Sequence, residues 1–577
     1  MDISKDNLCA IEKESSGKLK DEERSIAYFS MEIGLESKIP TYSGGLGILA
    51  GDTIKSCADL KVPLVAVSLL YKKGYFFQRL DEYGNQYEYS NEWNPSESMA
   101  LLPNKVTVKI ENRDIVIRAW QYRVKGVNSE IPVIFLDTDT EENGEYDRSL
   151  TYYLYGGDER YRFAQEIILG IGGIRMLREL DYKKFRRYHM NEGHASLLTL
   201  ELLNERKDEV AIIPEIINKV KRRCVFTTHT PVTAGHDKFS YDLVKAFLGD
   251  YFPLDLLKEL GGQDCLNMTL LALNLSHYIN GVAKEHGKTS QEMFPGYHIE
   301  YITNGVHSGT WVCPSFRKLF DKHIYGWFND PFSLRYALSI PRDEIWNAHE
   351  EAKKVLIDYV NKRTSLGFDY DTLTIGFARR AAAYKKADLV FFDTTRLVNI
   401  SQIVGKIQFI FAGKAHPKDW QGKELIKRIK AVANSLKGHI KIAYIDNYDM
   451  ELARMFISGS DLWLNTPSKP QEASGTSGMK AAHNGVPSFS ILDGWWIEGC
   501  IEGNTGWSIG SVDEKESIDE KNADSLYMKL ARDIIPVFYN NRQVWIDIMR
   551  HSIAINASFF NTHRMVQQYV LNAYLYK

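Results

Sequence analysis

Short apolar runs bounded by turn residues recur along the chain, and many alternate with amphipathic stretches of helical length. In the first half, "SIAYFSMEIG" reads as a strand leading into a glycine-rich stretch, "TYSGGLGILAGDTIKSCADL". "VPLVAVSLLY" and "IPVIFLDT" read as buried strands, and "KVTVKIENRDIVIRAWQYRV" alternates with period two, as a half-exposed hairpin does. "RYRFAQEIILGIGGIRMLREL" has a helical pattern, "KKFRRYHMNEGHASLLTLELL" reads as strand, loop and helix, and "RRCVFTTHTPVTAGHDKF" as strand and loop. The second half is more regular. "TLTIGFA", "KIQFIFAG", "HIKIAYI", "DLWLNTP" and "VPSFSIL" are strand-like, separated by "KKADLVFFDTTRLVNI", "GKELIKRIKAVANSL", "DMELARMFISGS" and "GTSGMKAAHNG". Strands alternating with helices predict a parallel sheet covered on both faces. The change between halves falls between "NGVHSGTW" and "DTLTIGFA", and a long helical stretch from Gln543 to Lys577 closes the chain.

Length turns this pattern into two domains, because 577 residues exceed one ordinary core. We place them at 1–312 and 313–577, both α/β, facing each other across a cleft. A formal net charge of -3 argues against electrostatic nucleic-acid binding. The six cysteines are scattered, without CxxC pairs, as expected of reduced thiols in a cytoplasmic protein. The charged N-terminal arm lacks the apolar core of a signal peptide, and no apolar run is long enough to span a membrane.

Ligands of open parallel sheets collect beyond the carboxyl ends of strands, so post-strand loops are where chemistry is sought. Three such loops suit anions. Gly44-Gly45-Leu46-Gly47 opens a helix and can bring backbone N–H groups to a phosphate; a tight structural turn is the alternative. "FARRAAAYKK" sets Arg379, Arg380, Lys385 and Lys386 after a core strand, where a solvated basic face is the alternative. Gly475-Thr476-Ser477-Gly478 precedes a short helix. Just beyond it, Lys480 stands among Met479, Ala481 and Ala482. A lysine in apolar company either snorkels to the surface or is neutralised, for instance as a Schiff base with an aldehyde cofactor. His189 and His194 in "HMNEGH" lack the HExxH spacing of a metal helix and are assigned to structure or site lining; no metal is expected.

"EASGTSGMK" resembles the "EASGTGNMK" segment of the α-glucan (glycogen, starch or maltodextrin) phosphorylases, here in a short form. In that family this lysine holds pyridoxal 5′-phosphate, which implies a cofactor on Lys480. Ser477-Gly478 departs from the pattern, in the loop around the cofactor phosphate. The resemblance implies substrate contacts for Gly44, Gly45, Glu32 (in "YFSMEIG"), Glu472, Ala473, Ser474 and Gly475. The family's Lys-Arg-x-x-x-Tyr-Lys pattern matches Arg379 to Lys385. It gives Arg380 to the substrate phosphate, Lys385 to a place near both phosphates, and Arg379 to the cofactor phosphate. Tyr448, Thr476, Ser477 and Gly478 complete the implied cofactor site, although Asp449 stands where the family has an arginine. "TTHTPV" nominates His229 and "ITNG" Asn304 for the glucosyl unit.

The implied fold is of the GT-B type, two Rossmann-like domains with a C-terminal helix crossing back to the N-terminal one. The implied reaction is retaining phosphorolysis of terminal α-1,4-glucosyl units by inorganic phosphate to glucose 1-phosphate. His229, Arg380, Lys385, Asn304, Thr476 and Lys480 are the implied catalytic set, and a homodimer is the implied assembly. A nucleotide-sugar glucosyltransferase of the same form is the nearest rival. Its E-x7-E loop ends in a glutamate that accepts from ribose hydroxyls, a role that Lys480 cannot fill. A non-catalytic glucan-binding protein and a pyridoxal aminotransferase are further alternatives; the latter needs a carboxylate-binding arginine that no motif supplies.

Overall fold

A computed structural model describes residues 21–207, 213–511 and 518–575. Most of the N-terminal polar arm lies outside the described residues. The protein is mixed α/β, built on two largely parallel sheets. The larger has nine strands, in the spatial order Glu300–Tyr301, Tyr278–Gly281, Cys224–Thr227, Arg187–Asn191, Ile26–Ser30, Leu64–Leu69, Glu130–Asp137, Arg113–Lys125 and Ala100–Ile110. Its last three strands pair antiparallel and the other pairs run parallel. Ile26–Ser30 and Leu64–Leu69 are buried at every position, which is why they read as unbroken apolar runs. The period-two segment is a hairpin as expected. Glu111 and Asn112 turn it with φ of 51° and 61°, the left-handed pair that matches strand twist.

The smaller sheet is wholly parallel, in the order Lys441–Ile445, Ile407–Ala412, Leu373–Ala378, Leu462–Asn465, Ser488–Ile491 and Gly506–Ile509. Five of these are the expected strands. Gly506–Ile509 is additional: the short "GWSI" stretch gains its identity only by pairing with Ser488–Ile491.

The closing stretch is not one continuous helix. Arg542–His551 runs through a π-helical segment, Ser552–Ala557, and ends before Asn561, whose side chain accepts from the Arg564 N–H at 2.9 Å and starts a new helix, Thr562–Tyr569. Val306 fixes the break, donating to the Phe560 carbonyl at 3.1 Å and accepting from the Thr562 N–H at 3.0 Å. Beyond it, Met565, Val566, Tyr569 and Tyr574 pack with Tyr28, Leu49 and Ala66 of the first half. The Tyr574 hydroxyl lies 2.7 Å from His189 Nδ1, and Thr227 lies 2.8 Å from Nε2 of the same ring. His189 is thus a fully paired structural residue.

The two sheets' surroundings also meet through the hairpin Phe77–Leu80 and Gln86–Tyr89. The Gln78 amide donates to the Gly413 carbonyl at 3.0 Å, the Gln86 amide to the Ala415 carbonyl at 2.8 Å, and Lys423 pairs with Glu88 at 2.6 Å. Ile48 and Tyr42 share a core with Trp463, Met479 and Trp495, so the glycine-rich helix is packed onto the second sheet's elements. Among the described residues no helix is long and apolar enough to cross a membrane.

Candidate functional site

The glycine-rich loop is shaped by Glu32, two residues beyond the first strand. Its Oε2 accepts from the Ser43 and Gly44 N–H groups at 2.6 and 3.2 Å, and its Oε1 from the Tyr155 hydroxyl at 3.0 Å. The helix Gly45–Asp59 therefore begins against a fixed carboxylate, with no side chain capping it. A Cβ on Gly47 would lie 2.7 Å from Glu32 Oε2, so this contact requires glycine. Gly44 and Gly45, by contrast, face open space within 4 Å, room that an anion could use.

The basic loop follows the strand Leu373–Ala378 and divides by direction. Arg379 and Lys385 turn to one carboxylate, Glu472, whose Oε2 lies 2.7 and 2.5 Å from them. Burial would raise the Glu472 carboxyl, but the two cations outweigh it and hold the group down at about 2. Glu472 is thus a shared counter-ion of the two cations. Its backbone N–H donates to Asp493 at 2.9 Å, and burial pushes the Asp493 carboxyl up to about 7. Arg380 points elsewhere. Burial lowers its tendency to ionise, but Tyr384, Tyr75 and Glu32 more than restore it. Its side chain reaches a crevice shared with Tyr384, His416 and Gln471, so it is water-accessible although protein surrounds it. Arg380 thus lies within charge influence of Glu32, from the opposite half of the chain.

Lys480 lies on the short helix Ser477–Ala482 and is only 8% exposed, which rules out a snorkelling surface lysine. Its Nζ sits 3.9 Å from the centroid of the Trp311 ring. Asp52, on the glycine-rich helix, accepts from the Trp311 indole N–H at 2.7 Å and the His307 N–H at 3.2 Å. Among the described residues no ion pair holds the ε-amine. Burial pushes it down to about 8, with Asp52 working against and Lys55 with that shift. A buried amine poised near neutrality suits covalent capture of an aldehyde.

The preceding loop is set by close contacts. Gly475 adopts φ of +75°, and a Cβ on Gly478 would lie 2.7 Å from the Trp495 ring and 2.8 Å from Ser488 Oγ. Ser477 accepts from the Trp463 indole N–H at 3.0 Å and contacts Asn465 at 3.4 Å. The Ser477-Gly478 pair is thus accommodated by its own packing. The Ser474 carbonyl accepts from the Trp495 N–H at 2.9 Å, which fixes the loop between Ala473 and Thr476. Tyr448 lies within charge influence of Arg379, its phenol raised mainly by burial. Asp449 has a local explanation as the N-cap of Met450–Gly459, accepting from the Leu452 N–H at 2.9 Å.

His229 belongs to a separate group at the ends of two strands of the larger sheet. Its Nε2 is 2.7 Å from Asn191 Oδ1, and its N–H donates to Glu192 Oε2 at 2.8 Å. Burial pushes the imidazole down to about 3. Glu192, at φ +80°, also accepts from the Thr230 hydroxyl at 2.9 Å; it organises this loop and was not singled out from sequence. Only its place in "NEGH", after a strand, hinted at it. Asn304 lies on the connection leading to Trp311; it is buried, and its side-chain oxygen has no hydrogen-bond partner among the described residues. Hydrogen bonds and ion pairs thus join Glu32 with Gly44, and Arg379 and Lys385 with Glu472; Lys480 stands with Trp311 and Asp52, and Arg380 lines its own crevice. His229 and Asn304 occupy places of their own.

A sequence model of the carbohydrate phosphorylases matches residues 253–506. Maltodextrin phosphorylase of Thermococcus litoralis is 40% identical, the alignment covering 95% of this chain and 70% of that protein. A glycogen phosphorylase of Mycobacterium tuberculosis is 36% identical, with 95% and 70% covered. One from Aquifex aeolicus is 33% identical, with 96% and 86% covered.

Proposed function

The chain belongs to the carbohydrate phosphorylase family, and from that premise we propose that it releases terminal α-1,4-glucosyl units of maltodextrin, glycogen or starch as α-D-glucose 1-phosphate, with retention of configuration. The observation that carries this reading is Lys480, a buried amine without an ion-pair partner among the described residues, on the loop where the family resemblance puts the cofactor. Its lowered proton affinity and the neighbouring cations fit pyridoxal 5′-phosphate. Lys480 would hold the aldehyde carbon, and Arg379, with the Thr476–Gly478 loop and Tyr448, the phosphate. When bound, the cofactor supplies a phosphate that can share a proton with the substrate phosphate.

The chain's own residues do the rest. Arg380 and the Gly44–Gly45 turn, through the Gly45 N–H, bind inorganic phosphate, and Lys385 would serve both phosphates. Holding two anions together needs several fixed cations and N–H groups, which act strongly where water is excluded. His229 and Asn304 orient the glucosyl unit by hydrogen bonds. We place the two lobes at 1–312 and 313–577, on either side of this site, with the helix Thr562–Tyr569 returning to the first.

Incubation with maltodextrin and inorganic phosphate tests the reading. Glucose 1-phosphate should form in proportion to phosphate. Glucosyl transfer that needs a nucleotide sugar instead, or glucan binding without turnover, would overturn it.

His229 gives a narrower prediction. Since burial holds its imidazole neutral, with a pKa of about 3, it hydrogen-bonds without titrating. The kcat/KM profiles of the native enzyme and His229→Asn between about pH 5 and 8, where an ordinary histidine titrates, should therefore share one shape at different heights. A native inflection in this range that the variant lacks would contradict this role.

A further inference from the structure

Away from this site, Asp59, His307 and His563 meet from three segments: the end of the glycine-rich helix, the connection after Asn304, and the start of the helix Thr562–Tyr569. The second and third lie 248 and 504 positions from the first. All three side chains are buried. Asp59 Oδ2 is 2.8 Å from His307 Nε2 and 3.0 Å from His563 Nε2, and the three ligand atoms lie within 4.8 Å of one another. We propose that these residues form a divalent-metal site of the zinc class, which clasps the C-terminal helix to the glycine-rich helix and to the segment carrying Asn304 and Trp311.

Two imidazoles and one carboxylate oxygen are a usual protein donor set for zinc, with water in the remaining position. Tetrahedral bonds of about 2.0–2.2 Å separate neighbouring ligand atoms by roughly 3.3 Å. The two spacings to Asp59, 2.8 and 3.0 Å, need to open by roughly 0.3–0.5 Å to reach that value. As hydrogen bonds, both imidazoles converge on a single oxygen; Asp59 Oδ1 is taken by the Val127 N–H at 2.9 Å. Asp59 Oδ2 can accept both, so the hydrogen-bonded cluster is the alternative; a cation between the three atoms would balance the buried carboxylate. His307 also has an outer partner, whereas His563 Nδ1 has none among the described residues. His307 Nδ1 lies 2.7 Å from Thr310 Oγ1, which accepts from Lys55 Nζ at 3.2 Å, so the ring presents Nε2 to Asp59. Such outer partners fix the orientation of metal-binding histidines.

No motif spacing reveals a site assembled over this range, and its consequence is structural. Metal that binds only the folded chain raises its stability, and here it would fix the connection bearing Trp311 under Lys480. The test uses intact protein stripped with EDTA and titrated with Zn2+ or Co2+. The native chain should bind one Zn2+, gain melting temperature, and give Co2+ the strong visible bands of a tetrahedral site. His563→Gln, which can still hydrogen-bond to Asp59, should lose all three responses. Thr310→Val should weaken Zn2+ binding roughly 10–100-fold. Co2+ keeping its weak six-coordinate spectrum with native protein, or Zn2+ bound equally well by His563→Gln, would overturn the proposal and leave a hydrogen-bonded His–Asp–His cluster only. The Co2+ spectrum of native protein decides the matter even if a variant does not fold.

Discussion

Lys480→Ala should abolish phosphorolysis and leave the purified chain without bound pyridoxal phosphate. The expected fall is at least about 10²–10⁴-fold, the range for losing a positioned proton donor and acceptor. The fold should survive, because truncation removes a buried amine that has no ion pair to break among the described residues. Activity measured beside a circular dichroism melt separates the two effects. The lowered proton affinity adds a pH signature. A lysine at its usual value near 10.4 would take up aldehyde ever faster up to that pH. With Lys480 at about 8, the rate at which cofactor-free protein reloads should rise through about pH 8 and level off above it. A rise continuing past pH 10 would mean that the amine is not held in the environment described.

Arg380→Ala should act on phosphate while sparing glucan. The guanidinium reaches an accessible crevice lined by Tyr384, His416 and Gln471, whereas Arg379 and Lys385 are each ion-paired with Glu472. Removing this arginine should lower kcat/KM for phosphate by roughly 10²–10³-fold, as for other lost transition-state donors. The KM for maltodextrin should change little. Arg380→Lys should recover part of the loss, since it keeps the charge but not the two-pronged geometry. Unaltered phosphate kinetics in Arg380→Ala would remove this residue from the site.

Local signals carried much of this architecture. Continuous apolar strands, a period-two hairpin and glycine or basic loops after strands are read within about ten residues, and those elements stand where expected. What escaped were pairings over distance and elements that depend on partners. Gly506–Ile509 is too short to announce itself without Ser488–Ile491, and the bonds of Val306 to Phe560 and Thr562 set the break before Asn561. The division of labour between Arg379 and Arg380 was equally hidden, because Glu472 lies 93 positions from the residue it holds. Asp449 was legible in retrospect: an aspartate before an amphipathic run is a helix-start signal, and that is its role. Glu192 was not, since a backbone at φ +80° leaves no mark in the surrounding sequence.

Reduction of the purified enzyme with borohydride, followed by proteolysis and mass mapping of the peptides, addresses the central claim most directly. A pyridoxyl-phosphate adduct on the peptide containing Lys480, and on no other lysine, is the predicted result. Active, folded protein whose Lys480 peptide is unmodified, or an adduct on a different lysine, would contradict it.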